Sequence, residues 1–436
     1  MKPKGLLISA VLLAVLAGLI WWSNKKQAAA SKTTDTSTKI LSIPDDQFQE
    51  IRLKKGGADT ADLKKENAKW RIAAPQQLPA DSDSASSLVS TLSSLNADKV
   101  IEDKATDLSP YGLNSPSLAA QVVKKDGKTD ELLVGDDTPT GSGAYAKLAT
   151  DPRVFTVSSY VKTSLDKSVN DLRDKRLLTF DSDKLTRVEL HAKGEPVEFG
   201  KNGESQWQIL KPRPLRADSS QVETLVSKLK DAKMDLTGDT ADVPKKFTAA
   251  TKVATASVTD ASGTQNIEVR TDKDKNYYAK SSAVDGVYKI NSDVGDALNK
   301  GLEDFRNKKL FDFGFSDPSK IELTGVTYTK NGDKWSNGSK TMDNSSVQNL
   351  IDKLRDLSAT KFVEQGAGDP VLEATVTSNS GKRVEKVAIR KKGTDHFAQR
   401  ENEPSIYQLD SKAVEDLQKA VADVKEAPPE QPKKKK

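Results

Sequence analysis

An internal repeat limits what this chain can fold into more than any other feature. Residues 66–82 read ENAKWRIAAPQQLPADS and residues 203–219 read GESQWQILKPRPLRADS. Trp70 maps onto Trp207, Pro75 onto Pro212 and Asp81 onto Asp218, each 137 residues further on. The same offset carries Ile51 and Leu53 onto Val188 and Leu190, and Leu88, Val89 and Leu92 onto Leu225, Val226 and Leu229. Further along, the offset becomes 133: AYAK (144–147) meets YYAK (277–280), VFTV (154–157) meets VYKI (287–290), and DLRDKRL (171–177) meets DFRNKKL (304–310). A third, more diverged copy starts at Ile321 and Leu323 and holds Trp335, Asp343 and VQNLIDKL (347–354), with no Pro after its Trp. Apolar positions that recur in register mark one supersecondary unit built several times. The expected units are 45–178, 183–314 and 317–425.

Every copy reads in the same order. A short alternating strand (EIRLKK, RVELHA, KIELTG) comes first, then a second strand carrying the Trp. A helix follows, with apolar residues at i, i+3 or i+4, and i+7. Asp81, Asp218 and Asp343 precede these helices, where a short acceptor satisfies the free amides of the first turn. A hairpin comes next, turning at Asp126-Gly127 in the first copy and near Ser262-Gly263 and Ser380-Gly381 in the others. Two short strands and a closing helix (about 159–173 in the first copy) complete the unit. Strands mixed with two helices per unit predict an α+β fold of tandem strand/helix units with antiparallel hairpins. Trp70, Trp207 and Trp335 admit two readings. One buries each ring between strand and helix; the other uses the rings as stacking platforms for carbohydrate. Their fixed place in a repeated unit favours the core.

Residues 5–22, GLLISAVLLAVLAGLIWW, hold one Ser and no charge. At about 1.5 Å per residue this run nearly crosses a hydrocarbon layer of about 30 Å. Gly5, Leu6, Leu7, Leu12, Leu16 and Ile20 are its apolar body, and Trp21 and Trp22 close it as an interfacial belt would. The alternative is a cleaved signal with a small-residue site at Ala28 and Ala30. Lys25 and Lys26 stand between that site and the apolar run, which favours an uncleaved transmembrane anchor at 1–24. Lys2 and Lys4 place the short N-terminus in the cytoplasm, and the remaining chain outside it, beyond a linker at 25–44.

The formal charge of +5 is misleading. Four of the cations are Lys433 to Lys436, in a Pro-rich, basic tail (426–436), and four more are the lysines flanking the apolar run. Without these eight the body carries −3, with both signs interspersed. A nucleic-acid face needs a clustered basic stripe with aromatics, and the sequence has none. The chain has no Cys and two His, which excludes disulfides and thiolate metal sites and leaves little for a His-based centre. TDKDKNYY (271–278) opens like a calcium loop but has Tyr277 where that loop requires Gly. No nucleophile elbow, phosphate loop or metalloprotease motif occurs. No catalytic, cofactor or metal residue is assigned.

Several pieces in this order resemble the bacterial family catalogued as domain of unknown function 4340. They are the Trp-x-x-x-x-Pro strand, the Ala-Asp ahead of a Leu-rich helix, DLSPYGLNSP (107–116), LLVGDDT (132–138), and the VF/Y strand running into a helix. Tyr111-Gly112-Leu113 with Pro116 is the most family-like piece and occurs only in the first copy. The resemblance implies single-pass envelope proteins, some associated with auxiliary components of gliding-motility-type ABC transporters. It implies no reaction, so no active site carries over. The expected function is therefore a scaffold or accessory protein held to the inner membrane, acting through protein partners. A glycan- or peptide-binding module and an unrecognised hydrolase are the alternatives.

Overall fold

A computed structural model describes residues 38–203, 205–315 and 318–428. The chain divides between Lys175 and Arg176 into two compact units. The first holds a nine-stranded sheet (sheet I) and a small two-stranded sheet; the second holds an eight-stranded and a nine-stranded sheet (sheets II and III). All strand pairings in these four sheets are antiparallel.

The α+β expectation is corrected by this architecture. Strand makes up 45% of the described residues and helix 23%, so this is a sheet protein with helices laid over its faces. The excess of strand comes from segments whose alternation is weak in sequence. Ala58–Glu66 pairs with Phe48–Lys55 on one side and Lys69–Ala74 on the other, yet only Ala61 and Leu63 point inward from a highly charged stretch. The expected closing helix of the first copy is two short helices, Ser159–Leu165 and Val169–Leu172. Among the described residues no helix is long and apolar enough to cross a membrane. The expected anchor at 1–24 lies outside the described residues. The end of the segment read as linker is ordered, because Thr38–Ser42 pairs with Ser94–Ala97 and buries Leu41.

The three large sheets share one strand order. In sheet II the first strand, Arg187–His191, lies between Val197–Lys201 and the long hairpin of Thr251–Asp260 and Gly263–Thr271. The order continues outward to Trp207–Lys211 and Leu215–Arg216 on one side, and to Tyr277–Ser281 and Val287–Ile290 on the other. Sheets I and III repeat this and add a ninth strand, Lys99–Glu102 or Ala359–Val363, beside the last. In sheet II the ninth place shrinks to a single bridge, Asp235 to Lys289.

A helix follows the Trp strand in each copy: Ser82–Ser93, Ser219–Lys230 and Asn344–Asp356. In the second, Val222, Leu225, Val226 and Leu229 form the buried stripe and Lys228 and Lys230 complement the dipole at its end. The stripe meets the inward residues of its sheet, among them Val188, Leu190, Phe199 and Ile209. Each such aliphatic side chain contributes about 1.5–3 kcal/mol when taken fully out of water. The linkers feed the next core as well: Leu177, Leu178 and Phe180 belong to the core under sheet II, and Leu310, Phe311 and Phe313 to that under sheet III.

The corner between the Trp strand and the helix is built alike three times. Asp81 accepts the Ser84 amide at 2.9 Å, Asp218 the Ser220 amide at 3.0 Å, and Asp343 the Ser346 amide at 2.8 Å. Their own amides donate to the segment that ends each unit: Asp81 to the Leu172 carbonyl (2.8 Å), Asp218 to Phe305 (2.8 Å) and Asp343 to Lys425 (2.9 Å). A bridge beside each corner, Ala80 to Arg173, Ala217 to Arg306 and Met342 to Glu426, covers the outer edge of the sheet. Replacing Asp218 by Ala removes the acceptor for the first helical turn, and the expected loss is about 1 kcal/mol. Urea unfolding of Asp218→Ala, with Asp218→Asn as the variant that keeps the acceptor, measures it. Equal stability of the two variants would show that the side-chain cap contributes nothing.

Candidate functional site

The residues singled out in the repeat lie at the corners and in the cores. Trp207 and Trp335 are 5% and 4% exposed and sit in the cores under sheets II and III. Trp70 is half-buried and packs on the core under sheet I. Lys65 and Lys201 lie over the rings of Trp70 and Trp207, at 5.8 and 5.1 Å. Trp207 and Trp335 offer no open stacking face, whereas Trp70 keeps part of its ring exposed. Pro75 and Pro212 each follow the last residue of the Trp strand, beyond an irregularity in register that sets Ala73 and Leu210 out of the ladder. Asp81, Asp218 and Asp343 are the helix caps. Gly5, Leu6, Leu7, Leu12, Leu16, Ile20, Trp21 and Trp22 lie outside the described residues.

Tyr111, Gly112 and Leu113 form a tight turn over the second strand of the first copy's hairpin. Gly112 has φ of 66°, and a side chain built there would fall 2.5 Å from the Asp136 carboxyl. Gly135 faces the turn from the strand, and its Cβ would stand 2.1 Å from the Tyr111 carbonyl. The YGL turn and the GDD strand therefore meet by close backbone approach at Gly135, while Gly112 is suited to its left-handed φ beneath the Asp136 carboxyl. Tyr111 lies against Tyr145 (5.1 Å between centroids) and donates to Glu102 at 3.1 Å. Leu113 is buried, and Pro116 leads the chain into Leu118–Lys124. The second copy fills the same place differently. There the helix Val243–Ala249 sets Phe247 against Tyr278, which is equivalent to Tyr145.

The TDKDKNYY segment is a turn centred on one carboxylate. Asp272 accepts the amides of Asp274 and Asn276 (both 2.9 Å), the Asn276 side chain (3.0 Å) and the Tyr278 hydroxyl (2.9 Å). Burial opposes its ionisation, but these donors prevail and hold it below the usual carboxylate range. Burial, with the Asp272 carboxylate beside it, pushes the Tyr278 phenol up to about 12. Those donors occupy the oxygens a cation would need. Among the described residues no group of three acidic or His side chains is placed to hold a metal ion.

His396 is 3% exposed, with Nδ1 3.0 Å from the Ser411 hydroxyl. That hydroxyl donates to the Thr394 carbonyl at 2.8 Å, so the ring fits as a neutral donor through Nδ1. Burial, aided by Lys391, lowers its pKa below that of a free imidazole. The unfolded chain then takes up a proton at a higher pH than the folded one. Stability is full above about pH 6.5 and falls as pH drops through the lower folded value. Thermal melts of His396→Gln are expected to lose part of this acid sensitivity; an unchanged pH profile would place its cause elsewhere.

One feature missing from the sequence reading joins sheets II and III. Arg216, at the edge of sheet II, places Nε 2.9 Å from Glu403, off the hydrogen-bonding axis, so the attraction there is electrostatic. It donates to the carbonyl of Lys309 and to the Tyr407 hydroxyl (3.3 Å). Glu403 also accepts from Arg400 (2.7 Å) and Tyr407 (2.7 Å). Arg400 pairs with the 4%-exposed side chain of Glu385 at 3.2 Å and donates to the Leu310 carbonyl. Glu385 in turn accepts the Asp312 amide at 2.9 Å, and Arg306 stacks 3.4 Å from the Phe362 ring while donating to Ser405 (2.8 Å). These residues lie in separate stretches of chain with no shared motif, so no local pattern announces them. Beside this network runs a polar groove of about 850 Å³. Lys308, Lys309, Lys382 and Arg383 line it with Arg216 and Arg400, against Asp218, Asp312 and Glu385.

The fold and the corners define a tandem antiparallel-sheet repeat protein. The sequence model of the family described as Domain of unknown function (DUF4340) matches it twice, over residues 70–250 and 207–378. The chain belongs to this family. The two matches begin on Trp70 and Trp207, the equivalent residues of the first two copies. No curated protein and no solved structure matches the chain.

Breaking a buried ion pair from one side leaves a charge without compensation. Glu385→Ala is expected to cost about 3 kcal/mol, whereas Glu322→Ala, whose pair with Lys320 is exposed, changes stability by under about 1 kcal/mol. Urea unfolding of both variants, followed by hydrogen exchange in 383–392, tests this. Equal effects would mean that the network adds nothing beyond surface ion pairs.

Proposed function

We propose that this protein is a membrane-tethered extracytoplasmic scaffold, an accessory of an envelope complex of the ABC-transporter type. The observation that carries the reading is the build itself. One sheet plan is used three times, the repeated motif residues go into caps and cores, and the variable insertions at 99–116 and 235–250 lie between the helix and the hairpin. Such a chain supplies surfaces rather than a reacting centre. The apolar run at 5–22, flanked by lysines, supports the tether. The transporter assignment rests on the family resemblance alone. The burial of Trp207 and Trp335 takes two of the three repeat tryptophans away from a glycan-stacking role, which favours the scaffold reading.

Crosslinking of the full-length chain in its native membrane, followed by gentle solubilisation, tests the proposal. The expected result is retention in the membrane after alkaline extraction and discrete crosslinked species containing a permease or ATPase subunit. A chain lacking residues 1–24 should be released into the soluble fraction. Full-length protein that is extracted at alkaline pH, or that remains a lone monodisperse species after crosslinking, would overturn it.

A further inference from the structure

We propose that the groove between sheets II and III is the docking site for an acidic, extended peptide segment of a partner protein. The inference rests on the scaffold reading above and names the chemistry of the partner. The groove has a net positive lining: six Lys and Arg side chains face three carboxylates. This stands against a body that is formally negative once the terminal lysines are set aside.

The charges of the groove fall into two sets. Arg216 and Arg400 are held by Glu403 and Glu385, and Arg383 donates to the Asp312 carbonyl. Arg216 and Arg400 are neutralised in place, Arg383 is held by the carbonyl but keeps its charge, and the three build a fixed wall. Lys308, Lys309 and Lys382 have no carboxylate within 4 Å among the described residues, and all three are exposed. Three unpaired cations along a preformed wall attract an anionic segment and lose little freedom of the backbone that carries them. Lys308 and Lys309 are held there by the bridge from Lys309 to Ser358 and by the Ala359 amide, which donates to the Lys308 carbonyl at 2.8 Å.

The remaining lining favours peptide over other polyanions. Gln206, Gln208, Ser358 and Asn379 supply side-chain amides and hydroxyls suited to a peptide backbone. Val384, 62% exposed on the rim, offers an aliphatic contact. The one aromatic ring in the lining, Trp207, is 5% exposed and gives neither a sugar nor a base a face to stack on. A volume of about 850 Å³ lies within the range of ligand-binding clefts. Cation clusters reading acidic motifs are an established mode of peptide recognition.

The test uses the detergent-solubilised full chain and a fluorescein-labelled decapeptide of alternating Glu and Ser, read by anisotropy. Binding is expected to weaken as salt rises, and Lys308→Glu/Lys382→Glu is expected to weaken it about tenfold or more. Lys252→Glu/Lys273→Glu changes the net charge equally at exposed residues outside the groove's lining and should leave binding within about twofold. Equal loss in both double variants would overturn the site. Tighter binding of an oligogalacturonate of the same length, or of a soluble short-chain phosphatidylglycerol, with the same lysine dependence would overturn the peptide assignment. Crosslinking in native membranes separates the two proposals. If the wild type captures a permease or ATPase subunit and the groove variant captures it equally, the groove fails and the scaffold stands. If the wild type captures none, the scaffold reading fails whatever the decapeptide does.

Discussion

Each unit is closed at its corner Asp, whose amide donates to the carbonyl of the segment that ends the unit, while the amides of Asp174, Asn307 and Ala427 donate back to Pro79, Arg216 and Thr341. The bond from the Asp amide is 2.8, 2.8 and 2.9 Å long at Asp81, Asp218 and Asp343. It joins residues that are far apart in sequence, and it does so where the sheet ends and the helix begins. The same Asp turns its side chain to the first free amides of the helix. One residue thus joins the outer edge of the sheet, the start of the helix and the return of the chain. An open edge strand invites pairing with another chain, and here the closing segment covers it. The Trp one strand earlier then has a fixed wall to pack against, and its place in the core follows from the corner.

This explains why the corner was so visible in sequence while much of the sheet was not. A cap needs a short acceptor, a strand end favours Pro, and a buried ring needs a large aromatic, so three different requirements imprint three different residues at fixed spacing. The strand Ala58–Glu66 imposes no such demands. Its outer face is charged and its inner face needs only Ala61 and Leu63, so its alternation is carried by two residues. Counting helices on a chain with such quiet strands tilts the reading toward α+β, and the structure corrects it toward sheet. The YGL turn was visible for the opposite reason. Close backbone approach at Gly135 and the left-handed φ at Gly112 favour glycine at both positions. Its counterpart in the second copy, Phe247 on Tyr278, escaped notice because a helix replaces the turn and only the contact is kept.

The network around Arg216, Glu385, Arg400 and Glu403 was illegible for a further reason. Its members come from the edge of sheet II, the linker and two strands and a loop of sheet III, and each alone is an ordinary charged residue. Burying such groups is costly unless every charge is paired and hydrogen-bonded. Here the arginines also donate to the carbonyls of Lys309, Leu310 and Asp312, which have no strand partner to satisfy them. The linker between the sheets thereby gains hydrogen bonds from side chains in addition to its short backbone bridge to Ser358.

That arrangement links architecture to recognition. A linker held by arginines presents its own lysines outward, because the arginines take up the nearby carboxylates and carbonyls. Lys308 and Lys309 follow directly on Arg306 and Asn307, so the residues that fasten the junction and the residues that charge the groove are neighbours in one short stretch. A repeat protein whose copies simply stacked through apolar faces would have no such surplus at the seam. The polar seam makes the junction between sheets II and III a structural joint and, on its open side, a surface with a definite sign of charge.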